Sequence, residues 1–385
     1  MRFLDAIEIN PTITLQKGKV YPFVEMANVG TNSREPIAIE QKVFSSGVKF
    51  QDGDSVVARI EPCLQNGKKF YCHNIGVGFG STEYLVFRPK NDTIDSRYLY
   101  YLLQTEYLRK SMINSMTGST GRQRVNNDVF KTLEIDLPPI VDQRKVAKCL
   151  ASFDDLIENN QKQIKLLEEA AQRLYKEWFV GLRFPGHENT PIIDGIPQGW
   201  EASTVGGICD LKKDTVLASK IADDTPYIGL EHMPRVDFCL SNWGTAEDAT
   251  SNKFRYAEND IIFGKIRPYF HKVGFALNSG VVSTDSFVMV AKQGLWGLLL
   301  MTVFDKAFVE YTYQTCKEGA KMPRADWNQM EKYPVLIPDE GVRQRFEDTI
   351  WVITRRIKAL ALQNHALAEA RDRLLPKLMN GEIEI

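Results

Sequence analysis

Two stretches of this chain carry the same narrow apolar seam, and a helix with such a seam can bury it only against another helix. From Val146 onward, Leu150, Phe153, Ile157, Asn160, Ile164, Leu167, Ala171, Leu174 and Trp178 follow at alternating steps of four and three. From Phe346 onward, Ile350, Ile353, Ile357, Leu360, Asn364, Leu367, Arg371, Leu374 and Leu378 keep the identical rhythm. That alternation is the 3.5-residue period of a coiled-coil helix. The sequence therefore predicts two long helices, each closing a globular half.

The duplication extends upstream of the helices. Asp54 to Pro62 (DSVVARIEP) reads against Asp260 to Pro268 (DIIFGKIRP), Ser81-Thr82-Glu83 against Ser283-Thr284-Asp285, and Leu137-Pro138 against Ile337-Pro338. The offset between the copies shrinks from 206 to 200 along the chain, so the first copy holds extra residues of the kind that surface loops absorb.

The seams also carry a test of direction. Asn160 is fifth in the first seam and Asn364 sixth in the second, so antiparallel helices with aligned ends put the two amides face to face. Parallel helices would set each asparagine against Leu360 or Ile164, and a buried amide without a partner costs roughly 1–3 kcal/mol. Antiparallel pairing is favoured, with Asn160 and Asn364 fixing register. The bland alternative is that one or both amides reach solvent. Pro376 lacks an amide proton and predicts a kink or stop before Leu378.

A chain of 385 residues has room for two domains, and 43% hydrophobic with 25% charged residues is ordinary for a globular protein. No apolar run approaches bilayer length and the N-terminus has no signal-peptide pattern, so a cytoplasmic location without a membrane partner is expected. Cys63, Cys72, Cys149, Cys209, Cys239 and Cys316 are scattered, with no C-x-x-C pair, and read as reduced thiols rather than metal ligands. A net charge of -1 argues against indiscriminate coating of nucleic acid. It leaves room for local basic loops: Lys110, Arg122 and Arg124 fall in an acid-free stretch, and Lys317, Lys321 and Arg324 face only Glu318.

Along the chain, Ser55 to Ile60 and Tyr84 to Phe87 read as strands, and Gly76 to Gly80 as a bend between strands. Ser96 to Met112 reads as a helix whose Tyr98, Tyr100 and Tyr101 pack inward. The first long helix runs to about Val180, and Pro- and Gly-rich Phe184 to Trp200 is a linker. The second half repeats the plan, with a helix from Leu295 to Cys316 and a long helix from Gly341 to Leu375. The expected segments are 1–141, a first globular domain; 142–183, its helix; 184–340, linker and second domain; and 341–385, the second helix.

Catalytic groups are missing from the sequence. There is no G-x-x-x-x-G-K-[ST] phosphate loop, and Gly76, Gly78 and Gly80 are not followed by a helix start and a ribose-binding acid. Asp136-Leu-Pro-Pro139 is not the adenine-gripping loop of amino-methyltransferases, Pro338-Asp339 lacks the downstream Glu-x-Lys of a metal-dependent nuclease, and His73, His187, His232, His271 and His365 form no ligand pattern. A binding protein is favoured over an enzyme.

Leu137-Pro-Pro-Ile-Val-Asp-Gln-Arg-Lys-Val146 and Leu166 to Phe179 resemble the central conserved region of the specificity subunits of type I restriction-modification systems. Gln344-Arg-Phe346 and Leu367 to Ile383 resemble their C-terminal conserved region. Gly53 to Leu64, Gly80 to Tyr84, Gly118 to Arg124 and Pro197-Gln-Gly-Trp200 are similar to phrases of their target-recognition domains, so the resemblance covers nearly the whole chain. It implies an α+β fold in which two β-rich target-recognition domains, in a pseudo-twofold arrangement, are separated by two long antiparallel coiled-coil helices. It implies double-stranded DNA as ligand, each domain reading one half of a split asymmetric site, with two adenine methyltransferase subunits and restriction/translocase subunits as partners. The chain itself would catalyse nothing, S-adenosylmethionine and ATP being bound by the partner subunits only. A seam from Val146 to Trp178 is roughly 48 Å long at 1.5 Å per residue, comparable with about 14 base pairs at 3.4 Å each. The expected DNA contacts are Arg122 and Arg124 in the first domain and Lys317, Lys321 and Arg324 in the second. Arg59, Lys68, Lys69, Lys265 and Arg267 are expected to touch phosphates. Two other readings stay open: a coiled-coil scaffold holding two protein-binding modules without reading DNA, and a self-sufficient methyltransferase or nuclease with degenerate motifs.

Overall fold

The computed structural model describes residues 1–31, 33–248, 251–316 and 322–385. The chain divides into two compact units, residues 1–160 with 363–385 and residues 161–362, so the division falls inside both long helices.

The first unit is built on two four-stranded sheets. One has the order Ile7–Ile9, Tyr84–Pro89, Ser55–Ala58, Lys69–Tyr71, antiparallel throughout. The other has the order Glu40–Val43, Val20–Val24, Gly78–Gly80, Val48–Phe50, with Val20–Val24 and Gly78–Gly80 parallel. Strand Ser55–Ala58 is buried on both faces. Its Val57 lies in the core cluster that holds Phe3, Tyr98, Leu99 and Leu150, while Val56 lies in the one that holds Val24, Phe50, Phe70 and Tyr84. The alternation of the sequence is thus a strand between two apolar layers rather than a half-solvated one.

The glycine run is not a bend. Gly78–Gly80 is an interior strand, and glycine is required because a Cβ on Gly78 would lie 2.7 Å from the Pro22 carbonyl oxygen and one on Gly80 2.6 Å from that of Val24. Close approach of neighbouring backbone, not turn geometry, selects these residues.

The second unit repeats the plan with five-stranded sheets. Cys209–Lys212, Ser286–Ala291, Ile261–Gly264 and Val273–Ala276 follow the order of the first sheet of unit one, with Cys239–Leu240 added at the edge. Gly244–Thr245, Pro226–Ile228, Gly280–Val282 and Lys253–Tyr256 follow the second, with the same parallel pair in the middle and Thr215–Val216 added. Even the tight glycine recurs: a Cβ on Gly280 would clash with the Pro226 carbonyl oxygen. Repetition of strand order, of strand direction and of this contact makes the internal duplication structural.

Each expected medium helix is in fact two. Ser96–Leu102 and Glu106–Asn114 are separate, as are Trp296–Phe304 and Lys306–Gln314. In the second pair Asp305 breaks the run by capping the Ala307 amide, an interaction that competes with helix continuation. The tyrosines Tyr98, Tyr100 and Tyr101 are buried, as expected. The supposed linker is packed rather than loose: Phe184 and Trp200 are buried with Val342, their rings 4.6 Å apart.

The long helices span Ile140–Tyr175, continued by a wider turn at Lys176–Val180, and Glu340–Met379. Pro376 lies within the second helix, and Leu378 beyond it is buried, so the proline does not end it. In unit one, Leu375 and Leu378 pack in the cluster that holds Val146, Ala147 and Leu150, whereas Asn160 meets Asn364. In unit two, Phe346 packs on Trp178 and Phe179, and Arg356 reaches Gln163. In each unit, partners descend in number along one helix as they ascend along the other, which is the antiparallel order read from the seams. No seam position of either helix is fully exposed. Among the described residues no helix is long and apolar enough to cross a membrane.

Candidate nucleic-acid interface

In each unit three separated stretches of chain meet at the end of the central strand. In the first, the Arg59 amide donates to the Glu83 carbonyl at 2.9 Å, the Val125 amide to the Arg59 carbonyl at 3.0 Å and the Glu61 amide to the Gln123 carbonyl at 2.9 Å. In the second, the Lys265 amide donates to the Asp285 carbonyl at 2.7 Å, the Ala325 amide to the Lys265 carbonyl at 2.8 Å and the Arg267 amide to the Pro323 carbonyl at 2.8 Å. The segment after the strand is thus held between an acidic turn and an arginine-bearing segment in both halves. The backbone holds these stretches in place before any side chain takes part.

Side chains complete the junction. Arg124 forms a fork on Glu83: its Nε lies 3.0 and 2.9 Å from the two carboxylate oxygens and its Nη2 2.7 Å from Oε1. The pairing holds the Glu83 carboxyl below its usual range. Arg324 pairs with Asp285 through Nη2 at the corresponding place. The Arg59 Nη2 donates to the Val125 carbonyl at 2.9 Å, and the Lys265 Nζ donates to the Thr284 carbonyl at 2.6 Å and lies 4.5 Å from the centre of the Phe287 ring. Burial lowers the Lys265 ammonium below its usual range. Arg267 sits in left-handed backbone at φ 52°, and the Nε atoms of Arg59 and Arg267 are buried without a hydrogen-bond partner among the described residues.

Arg122 stands at the exposed tip of a short loop closed by paired Thr117 and Arg124, with positive φ at Gly118 and Gly121. Here the structure brings together Arg59, Arg122 and Arg124 and, in the second unit, Lys265, Arg267 and Arg324. Lys317 and Lys321 lie outside the described residues. Lys68 and Lys69 are placed elsewhere. The Lys68 Nζ donates to the Met26 carbonyl at 2.8 Å. Lys69 points toward the long-helix pair, where burial, and then the charge of Arg371, push its ammonium down to about 8.

The helix pair of the first unit is polar at more than one seam position. Asn160 Nδ2 donates to Asn364 Oδ1 at 2.9 Å and to Gln363 Oε1 at 3.1 Å. Arg371, itself in the second seam, pairs with buried Asp154, which also accepts from the Tyr101 hydroxyl at 2.5 Å. One turn further, Arg34 forks on Glu158 at 3.0 and 2.6 Å. Sequence reasoning misses these acids, although Arg371, the one charged residue of the second seam, is a visible signal. Glu83 and Asp285 were visible too, but only as markers of the repeat. No cluster of potential metal ligands occurs among the described residues.

Duplicated sheet-and-helix units, each ending in half of an antiparallel helix pair and each carrying a basic, arginine-bearing junction, define a class of tandem two-unit protein. Residues 8–169 match the family described as type I restriction modification DNA specificity domain. The type I restriction enzyme MjaIX specificity subunit of Methanocaldococcus jannaschii is 27% identical over 77% of this chain and 71% of its own length. The HindI specificity subunit of Haemophilus influenzae is 21% identical over 87% of each chain. The EcoAI specificity subunit of Escherichia coli is 29% identical over 43% of this chain and 30% of its own. The crystal structure of a type I restriction-modification S subunit from M. genitalium covers 98% of this chain and 95% of its own, with a TM-score of 0.56 at 14% identity, which marks a shared fold. The chain is thus similar to type I restriction-modification specificity subunits, by a domain match within its first half and by relatives that align over most of its length.

Proposed function

We propose that this chain is the DNA sequence-specificity subunit of a type I restriction-modification complex. It binds a split, asymmetric site in double-stranded DNA, one unit per half-site, and recruits two adenine methyltransferase subunits and, through them, restriction/translocase subunits. The observation that carries this reading is the duplicated junction: two copies of one sheet topology, one presenting three arginines and the other a lysine and two arginines at the same place. A protein that reads two different half-sites needs two readers of one design whose side chains differ, and exposed Arg122 and Arg124 beside half-buried Arg59, against exposed Arg324 beside half-buried Lys265 and Arg267, meet that need. The paired helices act as the spacer, and the Asn160–Asn364 pair sets their register. The chain contributes recognition and no chemistry, S-adenosylmethionine and ATP being held by the partners.

Selection from random duplexes by the chain assembled with its methyltransferase tests this reading. Enrichment of two short motifs with a constant unread gap supports it. Enrichment of one continuous motif, or of none, refutes it and favours a scaffold that holds protein-binding modules.

A further inference from the structure

The strongest unassigned feature is an acid in each unit that faces the arginine of its own junction. A carboxylate at a DNA-binding edge is costly beside phosphates unless it has a task, and the same task is set twice, by Glu83 with Arg124 and by Asp285 with Arg324. The pairs join residues far apart in sequence, through equivalent positions of the repeat.

The geometry of the first pair determines what the arginine can still do. Glu83 takes the Nε and Nη2 side of the guanidinium, and the Arg122 carbonyl takes one Nη1 proton at 3.3 Å. A guanidinium has five N–H donors in a fixed plane. Of the five, one N–H on Nη1 and one on Nη2 are not used by these partners, enough for a fork about as wide as the O6 and N7 acceptors of guanine in the major groove. Both side chains remain partly open to solvent, at 46% for Arg124 and 23% for Glu83. An arginine whose charge is offset by a carboxylate is a poor choice for holding a phosphate, which needs net positive charge and little orientation. The same arginine, held flat and aimed, is suited to a base edge. Arg122, exposed at the loop tip and with no carboxylate offsetting its charge among the described residues, is the better suited of the two to a phosphate.

We propose that Glu83 and Asp285 are specificity-positioning residues: each orients the arginine of its unit, Arg124 or Arg324, so that its free fork reads a guanine edge in the corresponding half-site. This rests on the reading of the chain as a two-part DNA reader and deepens it.

The test uses the assembled complex on its selected site, with each guanine replaced singly by 7-deazaguanine, which lacks the N7 acceptor. Wild-type complex is expected to lose about tenfold or more in affinity at one guanine in the half-site of the first unit. Arg124→Ala is expected to abolish that sensitivity, and Glu83→Gln to reduce it severalfold, with the other half-site still discriminated as before. Glu83→Asp, the acid that the second unit uses, is expected to retain it. The salt dependence of binding stays unchanged in Glu83→Gln and loses about one unit of slope in Arg122→Ala. Melting temperature within a few degrees of wild type shows that Glu83→Gln folds. Undiminished guanine discrimination in Glu83→Gln, or an equal loss of affinity at every position of both half-sites, overturns the proposal. Selection of no split site at all would instead overturn the functional reading beneath it.

Discussion

The buried pair Arg371–Asp154 in the first unit permits a quantitative test of what holds the helices together. The side chains are 6% and 2% exposed, and among the described residues Asp154 has in addition only the Tyr101 hydroxyl. Breaking a buried ion pair from one side costs about 3–5 kcal/mol, because the survivor is left charged and dry. The two single substitutions are not equivalent. Arg371→Leu relieves Lys69, whose charge Arg371 disfavours and Asp154 favours, so Lys69 takes over part of the pairing and the cost falls near about 3 kcal/mol. Asp154→Leu leaves Arg371 beside Lys69 with only the exposed carboxylate of Asp372, and the cost falls near about 5 kcal/mol. For a domain of this size class the melting temperature drops by about 2–4 °C per kcal/mol, so roughly 6–12 °C and 10–20 °C are expected. The double Leu variant replaces the pair by apolar packing and should return to within about 1 kcal/mol of wild type or exceed it. Thermal unfolding followed by circular dichroism in all four proteins is the assay. Singles that shift by less than about 3 °C, or a double variant that sums the two losses, would refute the argument.

Three further predictions concern other positions. Asn160→Leu should cost about 1–3 kcal/mol by stranding Asn364, while Asn160→Leu with Asn364→Leu should regain most of it, measured by denaturant unfolding. Glu168, 4% exposed and accepting from the Phe238 amide, has its carboxyl pushed up to about 8 by burial and then by Asp237, from an ordinary 4.5. The folded state thus holds the proton more tightly than the unfolded, so its contribution is complete below about 4.5 and disappears as pH rises through about 8. Glu168→Gln should match wild type in melting temperature at the acid end of that window and exceed it at pH about 9. Gly80→Ala should lose about 1–3 kcal/mol, since its Cβ would meet the Val24 carbonyl and the Tyr84 ring at 2.6 Å.

What was legible in the sequence is what periodicity and repetition can encode. The seams gave the helices and their opposite directions because a 3.5-residue period has one physical use, and Asn160 with Asn364 marked the crossing. The strand Gly78–Gly80 was misread because glycine signals a turn locally, whereas here it answers to carbonyl groups of Pro22 and Val24 more than fifty residues away. The single helices expected over Ser96 to Met112 and Leu295 to Cys316 broke in two because an apolar stripe continues across a break, as it does at Asp305. At the junction, positive charge alone found Arg59, Arg122, Arg124 and their counterparts. It could not tell that Lys69 turns inward toward Arg371 and Asp154, nor that Glu83 lies against Arg124, because those neighbours are set by the fold.

The central claim is that each unit reads one half of a split site, and a one-sided lesion tests it most directly. Arg124→Ala removes from the first unit alone the arginine proposed to read a base edge, and the motif selected from random duplexes by the assembled complex is compared with that of wild type. The account predicts that one half-motif weakens or blurs while the other half and the gap between them are unchanged. Equal weakening of both halves, or an unaltered motif, would contradict it.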